Sequence, residues 1–385
     1  MSLPEAAIVG IGRTEFSLAS GRTTVALAAE ATRRALADAG LSANDVDGIG
    51  TFGMNDTAMT LTVAAAIGVE ELRWGVDLFG GGNSVTALIS LAADAVKAGT
   101  AETIVLYRSM NGRSAQRLGD AAEAIARVIP DLHFSMPQGY VVPPQFMAMW
   151  ARRHQHEYGS TCEDLGRIAV TQRGHAVPNQ HAIARTPLTM DDYLAGRWIN
   201  EPLRVFDCAF EVDGAVALVI TSLARARDLA APTVRILSVA DSQGHGGSWD
   251  QWPDPTSMFS ARVAPRLMRQ VAGDIGGIGD VDLACIYDCF TYTVMTVMED
   301  FGFAGKGEIG GYFADGRASY GGDVVVNPNG GLLSEGYLHG FNTQFEAVLQ
   351  LRGQAGDRQV ENAEVALVTS GAGPYGGAAI YVVDR

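Results

Sequence analysis

The chain has 385 residues, 47% hydrophobic and 18% charged, with 46 Gly and 14 Pro, a composition that excludes a disordered, collagen-like or coiled-coil protein. A chain of this length buries enough surface to fold without a metal or disulfide staple. Against 28 Lys and Arg stand 43 Asp and Glu, a formal charge of −15, which argues against nucleic acid and against an anionic membrane surface as partners.

In chain order, residues 6–10 read as a short apolar strand closed by glycine. Residues 23–39 carry helical spacing through Val25, Leu27, Ala28, Ala31 and Leu36 to a stop at Gly40. Residues 46–52 and 74–79 are strand-like, 81–99 form an apolar helix, and 104–108 form a buried strand. Residues 109–202 break this rhythm with Met136, Pro137, Pro143 and Pro144. A helix bearing Met147, Met149 and Trp150 follows, then His154, His156, His175 and His181 in a polar region ending at Asn200. This segment reads as an inserted loop or cap domain. Strand character returns over 216–221, after the Asp213-Gly214 turn. The rhythm then restarts: strand 234–239, helix 261–271, strand 281–287, helix 291–301, strand 324–326, a glycine-rich turn, helix 342–352, and strands 365–369 and 379–383. The expected architecture is a tandem α/β duplication, residues 1–230 and 231–385, with a cap over about 109–202 and a joint at 228–232. Alternating strands and helices predict a mainly parallel sheet covered on both faces.

The four cysteines (Cys162, Cys208, Cys285, Cys289) show no C-x-x-C and no histidine at ligand spacing, so neither structural zinc nor a disulfide framework is expected, and no metal site is assigned. Cys208 and Cys285 lie in apolar stretches and read as core residues. No signal peptide or membrane span is visible, and a soluble, cytoplasmic protein is expected.

Ligands of such sheets bind beyond the carboxyl ends of strands. Four segments qualify: Asp77-Leu-Phe-Gly-Gly-Gly-Asn-Ser84, Tyr287-Asp-Cys-Phe-Thr-Tyr292, the stretch from Asn327 to Gly340, and Thr369-Ser-Gly-Ala-Gly-Pro-Tyr-Gly-Gly377. Their backbone N–H groups, among them those at Gly81, Gly82, Gly371 and Gly373, suit an oxyanion. The Gly-x-Gly of the opening strand lacks the third glycine and acidic follow-up of a dinucleotide site.

Asn327-Pro-x-Gly-Gly-Leu-Leu-Ser-x-Gly resembles the thiolase superfamily motif that continues in true thiolases with His-Pro-Leu-Gly. Tyr287-Asp-Cys-Phe is similar to the His-Asp-Cys-Phe motif of the sterol-carrier-protein-type thiolases. Phe206-Asp-Cys followed by Asp213-Gly-Ala-x-Ala-Leu, and the opening Ala6-Ile-Val-Gly-Ile-Gly-Arg-Thr-Glu-Phe, also match in order along nearly the whole chain. The resemblance implies the thiolase fold: two tandem βαβαβαββ halves in a five-layer αβαβα core with an inserted cap.

The departures from that pattern point to a different reaction. Gly81 stands where a thiolase has its nucleophilic cysteine, so no acyl-enzyme can form. Tyr337 replaces the histidine that activates the nucleophile, Tyr287 replaces the histidine of His-Asp-Cys-Phe, and Ser370 or its neighbours occupy the position of the last thiolase cysteine. Phenols donate and accept protons, which suits retro-aldol cleavage of a β-hydroxyacyl-CoA. One tyrosine takes the β-hydroxyl proton and the other protonates Cα; Tyr337 is assigned as base and Tyr287 as acid. The chain resembles the bacterial lipid-transfer-protein-like aldolases that remove the last side-chain fragment of steroids. That resemblance implies a 17-hydroxy steroid CoA thioester as substrate, giving a 17-keto steroid and propionyl- or acetyl-CoA, with no bound cofactor. It further implies a homodimer within a heterotetramer, completed by an OB-fold and zinc-ribbon partner often linked to a hydratase.

Plainer readings stand beside these. Gly81 also serves close packing at a helix start. Asp288 and Cys289 orient a strand-to-helix turn, and Tyr292 is packed. His339 is the alternative proton carrier, although an extended backbone turns it away from Tyr337. His245 is a loop candidate for the substrate tunnel. Arg108, Arg113 and Arg117 follow a strand end, in reach of CoA phosphates or on a solvated face. Met147, Met149 and Trp150 line a channel or pack in the core. The rival functions are a non-catalytic acyl-CoA- or lipid-binding subunit and a thiolase-like condensing enzyme.

Overall fold

The computed structural model describes residues 5–115, 132–229, 231–244 and 253–384. Among them, ten strands form one sheet and two more form a small hairpin. The strands are β1 (Ala6–Arg13), β2 (Gly48–Gly53), β3 (Trp74–Phe79), β4 (Thr103–Asn111), the hairpin β5 (Trp198–Asn200) and β6 (Leu203–Arg204), β7 (Asp213–Ser222), β8 (Val234–Gln243), β9 (Leu283–Cys285), β10 (Val325–Val326), β11 (Val365–Ala372) and β12 (Tyr375–Val383).

The large sheet runs β3-β2-β4-β7-β1-β8-β12-β11-β9-β10. Read outward from its centre, the order β1-β7-β4-β2-β3 repeats as β8-β12-β11-β9-β10. Among the described residues the two sets pair through Ala7 with Arg235 and Ile8 with Val234. The sheet is mixed, which corrects the expectation of a mainly parallel one. β2 is parallel to β3 and β4, and β9 to β10 and β11, whereas β1, β7, β8 and β12 pair antiparallel with their neighbours. The reason is local: β11 and β12 are joined across Gly373-Pro374, a connection too short for the crossover that parallel pairing needs.

Three apolar clusters divide the molecule into layers. Alternate residues of a strand point to opposite faces, so Ala7 and Val9 join one cluster while Ala6 and Ile8 join another. The first cluster packs the helices Thr24–Asp38 and Thr60–Ile67 onto β1, β4 and β7. In the second, the helices Val85–Lys97 and Phe341–Leu351 are enclosed by strands of both sets through Leu88, Leu106, Leu283 and Val348. The third joins the helices Ser260–Gln270 and Thr291–Phe301 to Pro143–Tyr158 and Cys162–Ala176 from the segment between β4 and β7. The two strand sets of the sheet thus alternate with three layers of helices. Gly10 and Gly12 of β1 have no room for a side chain: a Cβ at either would stand 2.2 Å from the carbonyl oxygen of Ala35 or Ala31. These glycines let the Thr24–Asp38 helix lie directly on the strand.

The buried Glu335 ties distant segments together. It accepts from Arg13 of β1 at 2.8 Å, Asn179 at 3.2 Å, and Asn329 and Asn342 at 2.7 Å each. Burial alone pushes its carboxyl up, but Arg13, with the Asn342 amide and the nearby Arg358, outweighs burial and holds it below the usual carboxylate range. A depressed folded pKa adds stability above the unfolded value of about 4.3, and that stability is lost as pH falls through the folded value. Glu335→Gln leaves Arg13 buried without its counter-charge and is expected to cost about 3–5 kcal/mol at neutral pH. Urea midpoints should show the gap to the parent narrowing below about pH 4; an equal gap at both pH values would contradict the ion-pair origin. No helix among the described residues is long and apolar enough to cross a membrane.

Candidate active site

Two side chains carry the sheet pairing past the end of β9. Asn327 Oδ1 accepts from the Ile286 amide at 2.7 Å and Thr369 Oγ1 from the Tyr287 amide at 3.0 Å, which fixes the backbone on which Tyr287 stands. The next residue, Asp288, turns away and accepts from the amides of Leu332 at 2.8 Å and Leu333 at 3.2 Å. It thereby caps the short helix Gly331–Ser334. Burial pushes its carboxyl up to about 7 against these two bonds. Asp288 therefore positions the two loops that bear the tyrosines. The Tyr337 amide donates to the Phe210 carbonyl at 2.8 Å.

These constraints bring Tyr287 and Tyr337 together, their hydroxyl oxygens 2.6 Å apart and both rings buried. The Tyr287 ring packs closely against two glycines. A Cβ at Gly82 would stand 2.3 Å from its Cε2 and 2.4 Å from its hydroxyl oxygen, and one at Gly340 would stand 2.5 Å from its Cδ2. Burial raises both phenols. For Tyr337 the hydrogen bond shared with Tyr287 and the nearby Arg108 work against burial.

His339 faces Tyr337, contrary to the expectation from an extended backbone. Its φ is +52°, the next residue Gly340 has φ +77°, and this left-handed turn starts the Phe341–Leu351 helix. The turn swings the imidazole edge-on to Tyr337, ring centroids 5.1 Å apart. His339 Nδ1 lies 2.8 Å from a terminal guanidinium nitrogen of Arg108, and the same nitrogen donates to Asp56 Oδ2 at 2.6 Å. On the other side, Nε2 is 3.6 Å from where a Cβ at Gly81 would stand. The Gly81 amide itself donates to Asn83 Oδ1 at 3.2 Å. Gly371, φ +86°, pairs with Gly376 and abuts Asn83 Cα, while the carbonyl of Gly373 accepts from the Phe259 amide at 2.7 Å.

Several sequence expectations are placed elsewhere. Arg108 is fully buried, ion-paired with Asp56 and stacked 5.2 Å from the Phe52 ring centroid, so it cannot meet CoA phosphates. The Arg113 amide donates to Asp213; Arg117 and His245 lie outside the described residues. Met147 and Trp150 are core, whereas Met149 is 58% exposed. Tyr292 is packed and donates to the Pro255 carbonyl at 2.7 Å. Cys289 is buried against Thr293, its thiol pushed up to about 12 by burial, which leaves no thiolate for chemistry. Cys285 is buried and Cys208 is partly buried against the third cluster. Asp56 was not legible as a site residue: no motif marks the Met54-Asn-Asp-Thr57 turn. Among the described residues, no cluster of His, Cys, Asp and Glu is placed to hold a metal ion.

A family model described as Thiolase C-terminal domain-like matches residues 242–385. The chain is 41% identical over 381 residues to the 17-hydroxy-3-oxo-4-pregnene-20-carboxyl-CoA lyase of Mycobacterium tuberculosis, covering 96% of this chain and 97% of that one. It is 40% identical over 391 residues to the steroid side-chain-cleaving aldolase of Thermomonospora curvata, covering 99% and 98%. A solved structure described as Ltp2-ChsH2(DUF35) aldolase superposes over the whole of both chains with a TM-score of 0.91 at 39% identity. This degree of likeness along the full chain is decisive: the protein belongs to the thiolase-fold family of carbon–carbon lyases that includes the steroid side-chain-cleaving aldolases.

Proposed function

We propose that the chain cleaves a tertiary β-hydroxyacyl-CoA by retro-aldol chemistry, the substrate being a 17-hydroxy steroid whose side chain is a CoA thioester. The products are a 17-keto steroid and propionyl- or acetyl-CoA. The observation that carries this reading is the 2.6 Å hydroxyl pair of Tyr287 and Tyr337 beside Gly81, where no nucleophile stands.

The pair acts as a relay. The β-hydroxyl proton passes to Tyr337, the proton of Tyr337 passes to Tyr287, and the proton of Tyr287 ends on Cα. The Cα–Cβ electron pair moves onto Cα and the thioester oxygen as the ketone forms, and protonation of Cα completes the acyl-CoA. Neither phenol needs to stand free as a phenolate, which fits two phenols whose ionisation burial opposes. In this reading Tyr337, which has the Arg108 guanidinium nearby, stands at the hydroxyl as base, and Tyr287 at Cα as acid. No electron leaves the substrate, so the cleavage needs no redox cofactor.

In this reading residues 1–230 and 231–385 are the two halves of the fold and 109–202 cap the site. Gly81, Gly82 and Gly371 floor it, Gly373 holds the last hairpin in place, and Asp288 fixes the turns. The protein is proposed as a cytoplasmic homodimer within a heterotetramer completed by an OB-fold and zinc-ribbon partner. Support for the dimer is the edge position of β3 with Phe79, Met59 and Leu61 exposed nearby, since an open strand edge seeks a partner. Support for the other partner is the structure described above, whose name gives two components.

The test is a mass-spectrometric product assay with and without the OB-fold partner, alongside light scattering of the same preparations. A 17-hydroxy steroid acyl-CoA should give a 17-ketone and a short acyl-CoA. Thiolysis of a β-ketoacyl-CoA would instead support a condensing enzyme. Unchanged substrates with retained CoA-thioester binding would support a binding subunit.

A further inference from the structure

We propose that His339 is a fixed neutral hydrogen-bond donor to the thioester oxygen, protonated on Nε2, and that Arg108 and Asp56 are the positioning residues that hold it so. The assignment of a thioester to the space it faces rests on the retro-aldol reading; the assignment of the tautomer does not.

The tautomer follows from donor arithmetic. A guanidinium only donates. One terminal nitrogen of Arg108 carries two hydrogens and has two partners, Asp56 Oδ2 at 2.6 Å and His339 Nδ1 at 2.8 Å. His339 Nδ1 must therefore accept, so its lone pair is used and the ring proton sits on Nε2. That nitrogen faces the space above Gly81, 3.6 Å from where a Cβ would stand. In a thiolase that space holds the nucleophile; here it is free for the substrate's carbonyl oxygen.

The same arrangement keeps the imidazole uncharged. The titratable and charged groups facing it are Arg108 from β4, Asp56 from the turn after β2, and Tyr337 on its own loop; Phe52 closes the remaining side. Burial first and Arg108 second push the imidazole down to about 3, with Asp56 opposing from behind the guanidinium. His339 is thus no base near neutrality. A neutral donor aimed at the oxygen where enolate charge develops stabilises the transition state without reorganising. Asp56 in turn accepts the Met54 amide at 2.9 Å, and Arg108 donates to the Ser109 carbonyl at 3.2 Å, so the support is anchored at both ends.

The test uses the full chain labelled with 15N-histidine, the His339 signals being assigned by their loss in His339→Gln. Long-range 1H–15N spectra should show a neutral, Nε2-protonated ring unchanged from about pH 5 to about pH 8. An Nδ1-protonated ring, or titration in that range, would overturn the proposal. Adding propionyl-CoA should shift the Nε2 signal, and saturating binding without a shift would refute the donor role. In kinetics, His339→Leu should lower kcat by about 10²–10³ with little change in KM, and His339→Gln, which restores an N–H donor, should recover part of the loss. Arg108→Met removes the donor to Nδ1 and should let the Nδ1-protonated tautomer appear in the 15N spectrum, which a purely structural role does not produce. Failure of the wild-type chain to cleave the steroid thioester removes the proposed function, while the spectra still decide the tautomer.

Discussion

Tyr337→Phe is expected to lower kcat by about 10²–10⁴, the range set by losing a general acid–base group, with the fold intact. The substitution removes one oxygen from a buried ring and leaves its packing unchanged, so nothing need move. It breaks the relay at its centre, because Tyr287 loses the group 2.6 Å away with which it exchanges a proton. The Tyr287 hydroxyl is left buried without this partner, which costs stability by about 1–3 kcal/mol. Tyr287→Phe should be similarly inactive. The double variant should be little worse than either single one, since groups acting as a unit are not additive. Steady-state kinetics and thermal unfolding of the three variants check this. Near-parental activity in either single variant would contradict the relay.

Gly82→Ala is expected to displace the Tyr287 ring and to lower both rate and stability. The new Cβ would lie 2.3–2.4 Å from the Tyr287 ring and hydroxyl, so the ring must leave its place or the turn must open. A displacement of about 1 Å at a catalytic group costs about 10²-fold in rate, and overpacking costs about 1–3 kcal/mol. Gly81→Ala makes the comparison informative. Its Cβ finds His339 Nε2 and Met54 Sδ at 3.6 Å, ordinary contact distances, so thermal stability should hold. The methyl group nevertheless occupies the space assigned to the thioester oxygen, and kcat/KM should fall. Equal stability and activity in both variants would show that the glycine floor does not shape the site.

The sequence was most informative where periodicity or motif order acts over short range. The Trp74–Phe79 strand and the Thr291–Phe301 helix have the bounds their spacing suggests. Scattered histidines obscure the Cys162–Ala176 helix, although Thr161 and Asp164 form a capping box at its start. Sheet direction is hidden because alternating strands and helices suggest parallel pairing, and a single Gly-Pro connection between β11 and β12 is the local sign against it. In the site, Tyr287 and Tyr337 stood out because each replaces a histidine within a longer matching motif. Their contact across 50 residues of sequence was not visible. The orientation of His339 depends on a positive φ at a non-glycine residue, which no local pattern announces. Arg108 follows apolar residues at a strand end and looks solvent-facing; its partners, Asp56 and His339, are 52 and 231 residues away. Long-range pairing of this kind is set by tertiary packing, and one sequence does not display it.

The most direct measurement is to run the cleavage in D₂O and weigh the short acyl-CoA released. Tyrosine hydroxyls exchange with solvent, so retro-aldol cleavage through the Tyr337–Tyr287 relay should place a single deuterium on Cα, in step with release of the 17-ketone. A short acyl-CoA without deuterium, or no 17-ketone from a chain that binds the thioester, would contradict cleavage by this pair.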